Sequence, residues 1–399
     1  MKFTDIAGKS GLFVDGDWIE TKDQNPNGKV RLIQLADIGA GFFKDKSKRY
    51  ITEQKATELN CTYLKKGDIL IARLGEPLCK SCVFPFDGLF ITAVDVSILR
   101  LGEERDIIPK YLMYLINSPW FKSQVKKFES GTTRKRISRK NLNNIDLAFP
   151  PILDQERIVS RIEELYSQLG AGVETLKKTK AQLAVYRQAV LKEAFLYYRD
   201  ARTVEISEIV DDIRIGPFGT MLHKSDYIIG GVPVINPQHI KGGKVLPGLK
   251  VSVSAEKAIE LSTYMLRAND IIMGRRGEMG RAAAITSVEN GWICGTGSIL
   301  FRLKPEFDSA FYAQLLSSPD VVHYLEEHAT GTTMKNLNED IVQHIPVPCI
   351  TVEMQKEIAM NINSKMSVCD SIEQTVDAAL QQAEAMRQSI LRDAFGGEL

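Results

Sequence analysis

The chain repeats itself. Displaced by 202 residues, Ile33, Ile38, Gly41, Asp68, Ile69, Arg73, Gly75 and Glu76 fall on Ile235, Ile240, Gly243, Asp270, Ile271, Arg275, Gly277 and Glu278. Displaced by 200, Ser118-Pro119 falls on Ser318-Pro319, and Gly131-Thr132-Thr133 on Gly331-Thr332-Thr333. Gln155, Ile158 and Ile162 then fall on Gln355, Ile358 and Ile362, and Tyr186 to Phe195 lies over Met386 to Phe395. A register this steady marks a tandem duplication, so the chain must fold as two copies of one unit.

Each unit has the same internal order. About 150 residues of short apolar runs broken by Gly, Pro and Asn come first. Lys29 to Ile38, Asp68 to Ala72 and Leu89 to Leu101 read as strands, as do Val232 to Asn236, Asp270 to Met273 and Ser298 to Leu303. Pro109 to Ile116 and Ser309 to Leu316 read as short helices between them. After Pro150-Pro151, and again after Pro346-Val347-Pro348, proline vanishes and the period changes. Ile158, Ile162, Leu165, Leu169, Val173, Leu176, Leu183, Tyr186 and Val190 recur at three, four or seven residues. So do Ile358, Ile362, Met366, Cys369, Ile372, Val376, Leu380, Ala383, Ile390 and Ala394. Apolar spacing of this kind, kept for about five heptads, predicts coiled-coil helices. Forty residues of helix span roughly 60 Å, more than a surface helix docked on its own domain needs. Gly170 and Gly172 weaken the first helix by roughly 1 kcal/mol each. The expected fold is α+β: two globular α/β domains in pseudo-twofold tandem, separated by two long helices forming an antiparallel coiled coil. Its boundaries are 1–152, 153–198, 199–350 and 351–399.

Composition narrows the class. Of 399 residues 44% are apolar and 25% charged, which excludes a disordered or collagen-like chain. No apolar run is long enough for a membrane span. Met1-Lys2-Phe3-Thr4-Asp5 has no signal-peptide core, so a cytoplasmic protein is expected, and six cysteines suit a reducing compartment. The near-neutral net charge conceals an asymmetry. Residues 1–200 hold 33 Lys and Arg against 25 Asp and Glu, and residues 201–399 hold 18 against 25. A basic half beside an acidic half suits a polyanion partner for the first.

Motifs for chemistry are missing. Asn236-Pro237-Gln238-His239 comes nearest to the Pro-Pro-aromatic loop of an N6-adenine methyltransferase but lacks its second proline and its aromatic. Gly274-Arg275-Arg276-Gly277-Glu278-Met279-Gly280 has the wrong glycine spacing for a dinucleotide fingerprint or a P-loop. Cys79-Lys80-Ser81-Cys82 lacks a second ligand pair for zinc, and its repeat equivalents are Arg281 and Ala284. His223, His239, His323, His328 and His344 form no His-Glu-x-x-His pattern. No catalytic or metal site is expected.

Phe149-Pro150-Pro151 leading into Asp154-Gln155-Glu156-Arg157-Ile158-Val159 resembles the start of the helical spacer of Type I restriction-modification specificity subunits. Ile345-Pro346-Val347-Pro348 leading into Gln355 and Ile358 is similar. The ending Ser389 to Leu399 resembles that family's ending, and Gly216-Pro217-Phe218-Gly219 with Lys224-Ser225-Asp226-Tyr227 resembles the opening of a target-recognition domain. The resemblance covers essentially the whole chain; the first unit departs from it in lacking a Gly-Pro-Phe-Gly segment. It implies a non-catalytic DNA-recognition subunit whose two domains each read one half of a bipartite, asymmetric site on double-stranded DNA. The helices would recruit two modification (methyltransferase) subunits, and restriction-translocase subunits would join them. S-adenosylmethionine, ATP and Mg would then be cofactors of the partners, with none on this chain.

The candidate DNA contacts are basic loops. Arg134-Lys135-Arg136-Ile137-Ser138-Arg139-Lys140 has five basic residues in seven, and Phe42 to Tyr50 interleaves Lys44, Lys46, Lys48 and Arg49 with aromatics. Basic loops neutralise phosphates, while Arg, Asn or Gln on the same surface reads base edges. The full candidate set is Lys44, Lys46, Lys48, Arg49, Arg73, Arg134, Lys135 and Arg136, with His223, Lys224, Lys241, Lys244, Arg275, Arg276 and Lys335 in the second unit. The two Gly-Thr-Thr segments are either supporting turns or contacts. Two other classes stay open: a recognition subunit whose single partner chain both methylates and cleaves, and a coiled-coil scaffold whose end domains bind proteins.

Overall fold

The computed structural model describes residues 1–104, 106–196, 201–248, 250–331 and 335–396. The chain forms two compact units, Met1–Leu176 with Ala378–Leu399, and Lys177–Asp377.

In the first unit an antiparallel sheet runs in the order Leu12–Asp15, Val96–Arg100, Ile69–Ala72, Ser81–Val83. Ile69–Ala72 is buried along its whole length, as an unbroken apolar run demands of a central strand. A second sheet runs Arg49–Ile51, Val30–Ile33, Phe90–Thr92, the last pair parallel. The second unit repeats both. Val210–Ile215, Ser298–Leu303, Asp270–Gly274 and Ala282–Ala284 form the first sheet, and Val232–Ile235 pairs with Ser252–Val253 and Ile293–Cys294 in the other. The hairpin of Ile240–Lys241 and Lys244–Val245 has as its counterpart in the first unit the single antiparallel bridge between Ile38 and Phe43.

A buried ion pair recurs with the duplication. Arg100 donates from Nε and Nη2 to the two Asp68 carboxylate oxygens at 2.7 Å each. Arg302 meets Asp270 in the same way at 3.1 and 3.0 Å. Such forked pairs fix orientation as well as charge.

Two strand expectations need correction. The strand expected from Lys29 to Ile38 ends at Ile33, and Leu35–Asp37 turns as a 3-10 helix. The cause is Asp37, whose carboxylate accepts from Gln34 N at 2.8 Å and from Lys46 N and Ser47 N at 2.7 Å. The run from Leu89 to Leu101 divides into Phe90–Thr92 and Val96–Arg100, because Val96 N donates to Ala93 O at 2.9 Å and closes a turn. The two pieces then serve different sheets.

The long helices run Ile152–Leu196 and Val352–Gly396, 45 residues each, and Gly170 and Gly172 do not interrupt the first. They pack antiparallel: Tyr166 Oη donates to Arg387 O at 3.2 Å, while Lys180 meets Asp377 at 2.6 Å and Arg187 meets Asp370 at 2.8 Å. Ile362, Cys369, Val376, Ala383 and Ile390, each seven residues from the last, are buried along the second helix. Each helix also completes a domain. Ile390, Leu391 and Ala394 enter the core of the first unit beside Ile162, and Val190, Leu191 and Phe195 enter that of the second beside Ile362. The last residues of the expected family-like ending, Gly397, Glu398 and Leu399, lie outside the described residues, as do residues 197–200 at the expected spacer boundary.

Candidate nucleic-acid interface

The fold joins two motifs that stand far apart in the chain. In the first unit the central strand runs out into Arg73-Leu74-Gly75-Glu76, where Gly75 takes a φ of 107° that only glycine adopts freely. The basic loop folds over it. Ser130 and Arg136 exchange two backbone hydrogen bonds of 2.8 Å, Gly75 N donates to Lys135 O at 3.0 Å, and Ile137 N to Arg73 O at 3.0 Å. Arg73 and Arg134-Lys135-Arg136 are therefore brought together at one strand end. The second unit repeats the construction, with Thr330 and Asn336 exchanging bonds of 3.1 and 2.8 Å and Leu337 N donating to Arg275 O at 3.0 Å. Arg275, Arg276 and Lys335 thus come together. Thr332 and Thr333 lie outside the described residues. In the first unit the backbone exchange closes the loop that holds the Gly-Thr-Thr segment, with Thr132 and Thr133 exposed.

Not every candidate is free. Arg73 is 4% exposed, and its guanidinium is committed inside the domain: Nη2 to Val94 O at 2.5 Å, Nη1 to Ile137 O at 3.2 Å, and Nε beside Asp15 at 3.1 Å. It braces the loop rather than facing outward. Arg139, from the same basic run, shares Asp15 at 3.4 Å and donates to Phe13 O at 2.7 Å. Lys135 pairs with Glu129 at 2.7 Å and Arg136 with Asp95 at 2.9 Å, while Arg134 is exposed without a partner among the described residues.

Lys44, Lys46, Lys48 and Arg49 ride on the other sheet of the first unit, in the loop that Asp37 ties down. Burial pushes the Asp37 carboxyl upward, but donors from Ser47, Gln34 and Lys46 hold it below the usual carboxylate range. The loop backbone is therefore fixed while its cationic side chains stay exposed. Lys44 Nζ lies 5.9 Å from the centre of the Phe42 ring, itself 51% exposed. In the second unit His223, Lys224 and Lys241 are exposed. Lys244, at the far side of the hairpin, instead reaches Asp370 on the second long helix at 2.7 Å. Lys335 Nζ donates to Glu326 O at 2.9 Å.

Exposed Phe218, whose ring lies 5.9 Å from the Arg275 guanidinium, was not singled out from the sequence as a site residue. Its signal was an aromatic between glycines, which reads equally as a turn. Cys79 and Cys82 sit in different hydrophobic cores, where burial pushes their thiols up to about 11 and about 12. Among the described residues no group of His, Cys, Asp and Glu is placed to hold a metal ion, and no helix is long and apolar enough to cross a membrane. What the arrangement offers is charge and hydrogen-bond donors on rigid loops, suited to a phosphate backbone and base edges.

Comparison with known proteins agrees with the duplication. A family model described as the Type I restriction modification DNA specificity domain matches residues 2–182 and again 202–382. The specificity subunit of the Type I restriction enzyme EcoBI of Escherichia coli is 25% identical over 307 residues, 70% of this chain and 64% of that subunit. That of EcoDI, also from Escherichia coli, is 26% identical over 387 residues, 87% of this chain and 81% of its own. The chain thus spans a little under two thirds of the first of these relatives. A chain from a solved structure concerned with complex assembly and conformational transition of the type I R-M system has a TM-score of 0.69 at 17% identity. The match covers 97% of this chain and 98% of that one, a likeness of fold.

Proposed function

The chain belongs to the Type I restriction-modification DNA specificity family, and we propose that it is the DNA-reading subunit of such a complex and performs no chemistry itself. Residues 1–152 and 199–350 act as target-recognition domains, each reading one half of a bipartite, asymmetric site. Residues 153–198 and 351–399 act as the helical spacers that carry two modification subunits, with restriction-translocase subunits joining them. S-adenosylmethionine, ATP and Mg are used on those partners, in the cytoplasm. The observation that carries this reading is the repetition, in both units, of one loop pair that gathers basic side chains at a strand end.

Lys44, Lys46, Lys48, Arg49, Arg134, His223, Lys224, Lys241 and Arg276 are the proposed outward contacts. Lys135, Arg136, Lys244 and Lys335 join them if DNA displaces their present partners. Neutralising Arg134 and Arg136 together tests this. Each phosphate contact contributes about 0.9 to the slope of log affinity against log salt. The double variant should bind all duplexes more weakly with a shallower slope, and footprints of the unaltered assembly should show two protected segments. A single protected segment, or none at low salt, would count for a protein-binding scaffold.

A further inference from the structure

Arg73 and Arg275 hold the same place in the two copies of the fold, and each is 4% exposed. Arg73 N donates to Asp95 O at 2.8 Å, and Arg275 N to Gly297 O at 2.9 Å. Their side chains differ. Asp15 stands against Arg73. Strand register puts Ile215 at the corresponding position, since the next residues, Gly16 and Gly216, donate alike to Val96 O and Ser298 O. The counter-ion has become an apolar side chain.

Among the described residues the Arg275 guanidinium makes no hydrogen bond and no ion pair, and its Nε is fully covered. Arginine does not shed its proton in proteins, so the positive charge stays on a side chain that is 4% exposed, with its buried Nε unpaired among the described residues. Such a charge is costly unless something supplies acceptors. The surroundings suit a reader. Asn236-Pro237 packs on a bed of glycines: a Cβ on Gly295 would lie 2.4 Å from Asn236 Oδ1, one on Gly297 2.9 Å from Pro237 Cδ, and one on Gly274 3.0 Å from Pro237 Cβ. That close fit holds exposed Gln238 beside the strand end that carries Arg275. The Phe218 ring lies 5.9 Å from the guanidinium and is itself 56% exposed, so the arginine sits under an aromatic that faces solvent.

We propose that Arg275 is a DNA-contacting arginine of the second domain, its guanidinium donating in one plane to a pair of acceptors on duplex DNA, whereas Arg73 is only a brace. The inference rests on the DNA-reading assignment above. The acceptor pair is a guanine O6/N7 edge or two oxygens of a backbone phosphate.

The test uses the full chain assembled with its methyltransferase subunits and a pool of duplexes randomised over about 20 base pairs, roughly the two turns a bipartite reader spans. Arg275→Met should hold or raise Tm, because it removes a buried unpaired charge, and should lower affinity roughly 5- to 150-fold. Arg73→Met should lower Tm. Loss of preference at one or two positions of one half-site identifies a base edge. A uniform loss with a shallower salt slope identifies a phosphate. Ile215→Asp, which supplies the counter-ion Arg73 has, should weaken DNA binding while the protein stays folded. Wild-type affinity and preferences in both Arg275→Met and Ile215→Asp would overturn the inference, as would a large drop in Tm for Arg275→Met. If the unaltered assembly retains no duplex at low salt, the DNA-reading assignment itself falls.

Discussion

Asp17 shows how much a single burial decides. Desolvation pushes its carboxyl up to about 6, although Thr62 N and the Cys61 thiol donate to it. The ordinary value is 3.8, so between the two values the folded chain holds a proton that the unfolded chain releases. The stabilisation is complete below the unfolded value and is lost as pH rises through the folded one. Asp17→Asn should therefore gain Tm relative to the parent as pH goes from about 4 to about 7. A difference constant over that range would contradict the burial argument. Residues like this were not legible in the sequence, and neither was the split between Arg73 and Arg275. The repeat aligns the two arginines, but their fates depend on Asp15 and Ile215, on a strand remote in sequence whose register only the fold supplies. Buried Gln155 and Gln355 were visible as a repeated pair. Their job was not: each ties the start of a long helix to its domain, with Oε1 accepting from Ile108 N or Asp308 N and Nε2 donating to Pro150 O or Ile350 O.

Among the elements, the long helices were the most legible, because a seven-residue period survives any uncertainty about neighbours. Their charged seam was less so. Asp370 has Gly170 as its repeat equivalent. Where Arg187 meets Asp370 and Glu373 at 2.8 and 3.0 Å, Arg387 instead lies 5.0 Å from the centre of the Tyr166 ring. Two halves that began alike have diverged into an ionic and an aromatic contact. Leu183, 9% exposed, lies in the ionic half. Leu183→Glu would bury a carboxylate without a partner at a cost of several kcal/mol. Co-purification with partner subunits should be lost first, while the domains' own sheets persist by circular dichroism. A variant that assembles normally would argue against the seam. Strands were read less accurately than helices. Their ends are set by turns such as Ala93–Val96 and by the Asp37 carboxylate, and neither leaves a periodic trace.

At the scale of the whole molecule, the cores bind the two repeats to each other's helices. The first unit's core takes Ile390, Leu391 and Ala394 from the second helix, and the second unit's core takes Val190, Leu191 and Phe195 from the first. A fragment of residues 1–196 alone exposes the apolar surface that Ile390 and Leu391 would cover. It also carries Val190-Leu191 at the equivalent position, so a second copy can supply the same cover. Sedimentation should find it as a dimer; a folded, stable monomer would show that the helix ends are dispensable to the cores. The duplication and its helices could be read from the sequence, whereas which cationic side chains are exposed and which are paired required the structure.

The central claim is that each repeat reads one half of a split DNA site. The direct measurement is methylation mapping of a host genome carrying the parent chain, and of one carrying a chain in which residues 1–150 are replaced by those of another family member. The account predicts that the exchange changes one half of the methylated sequence and leaves the other half and the gap between them intact. A change in both halves, or in neither, would contradict it.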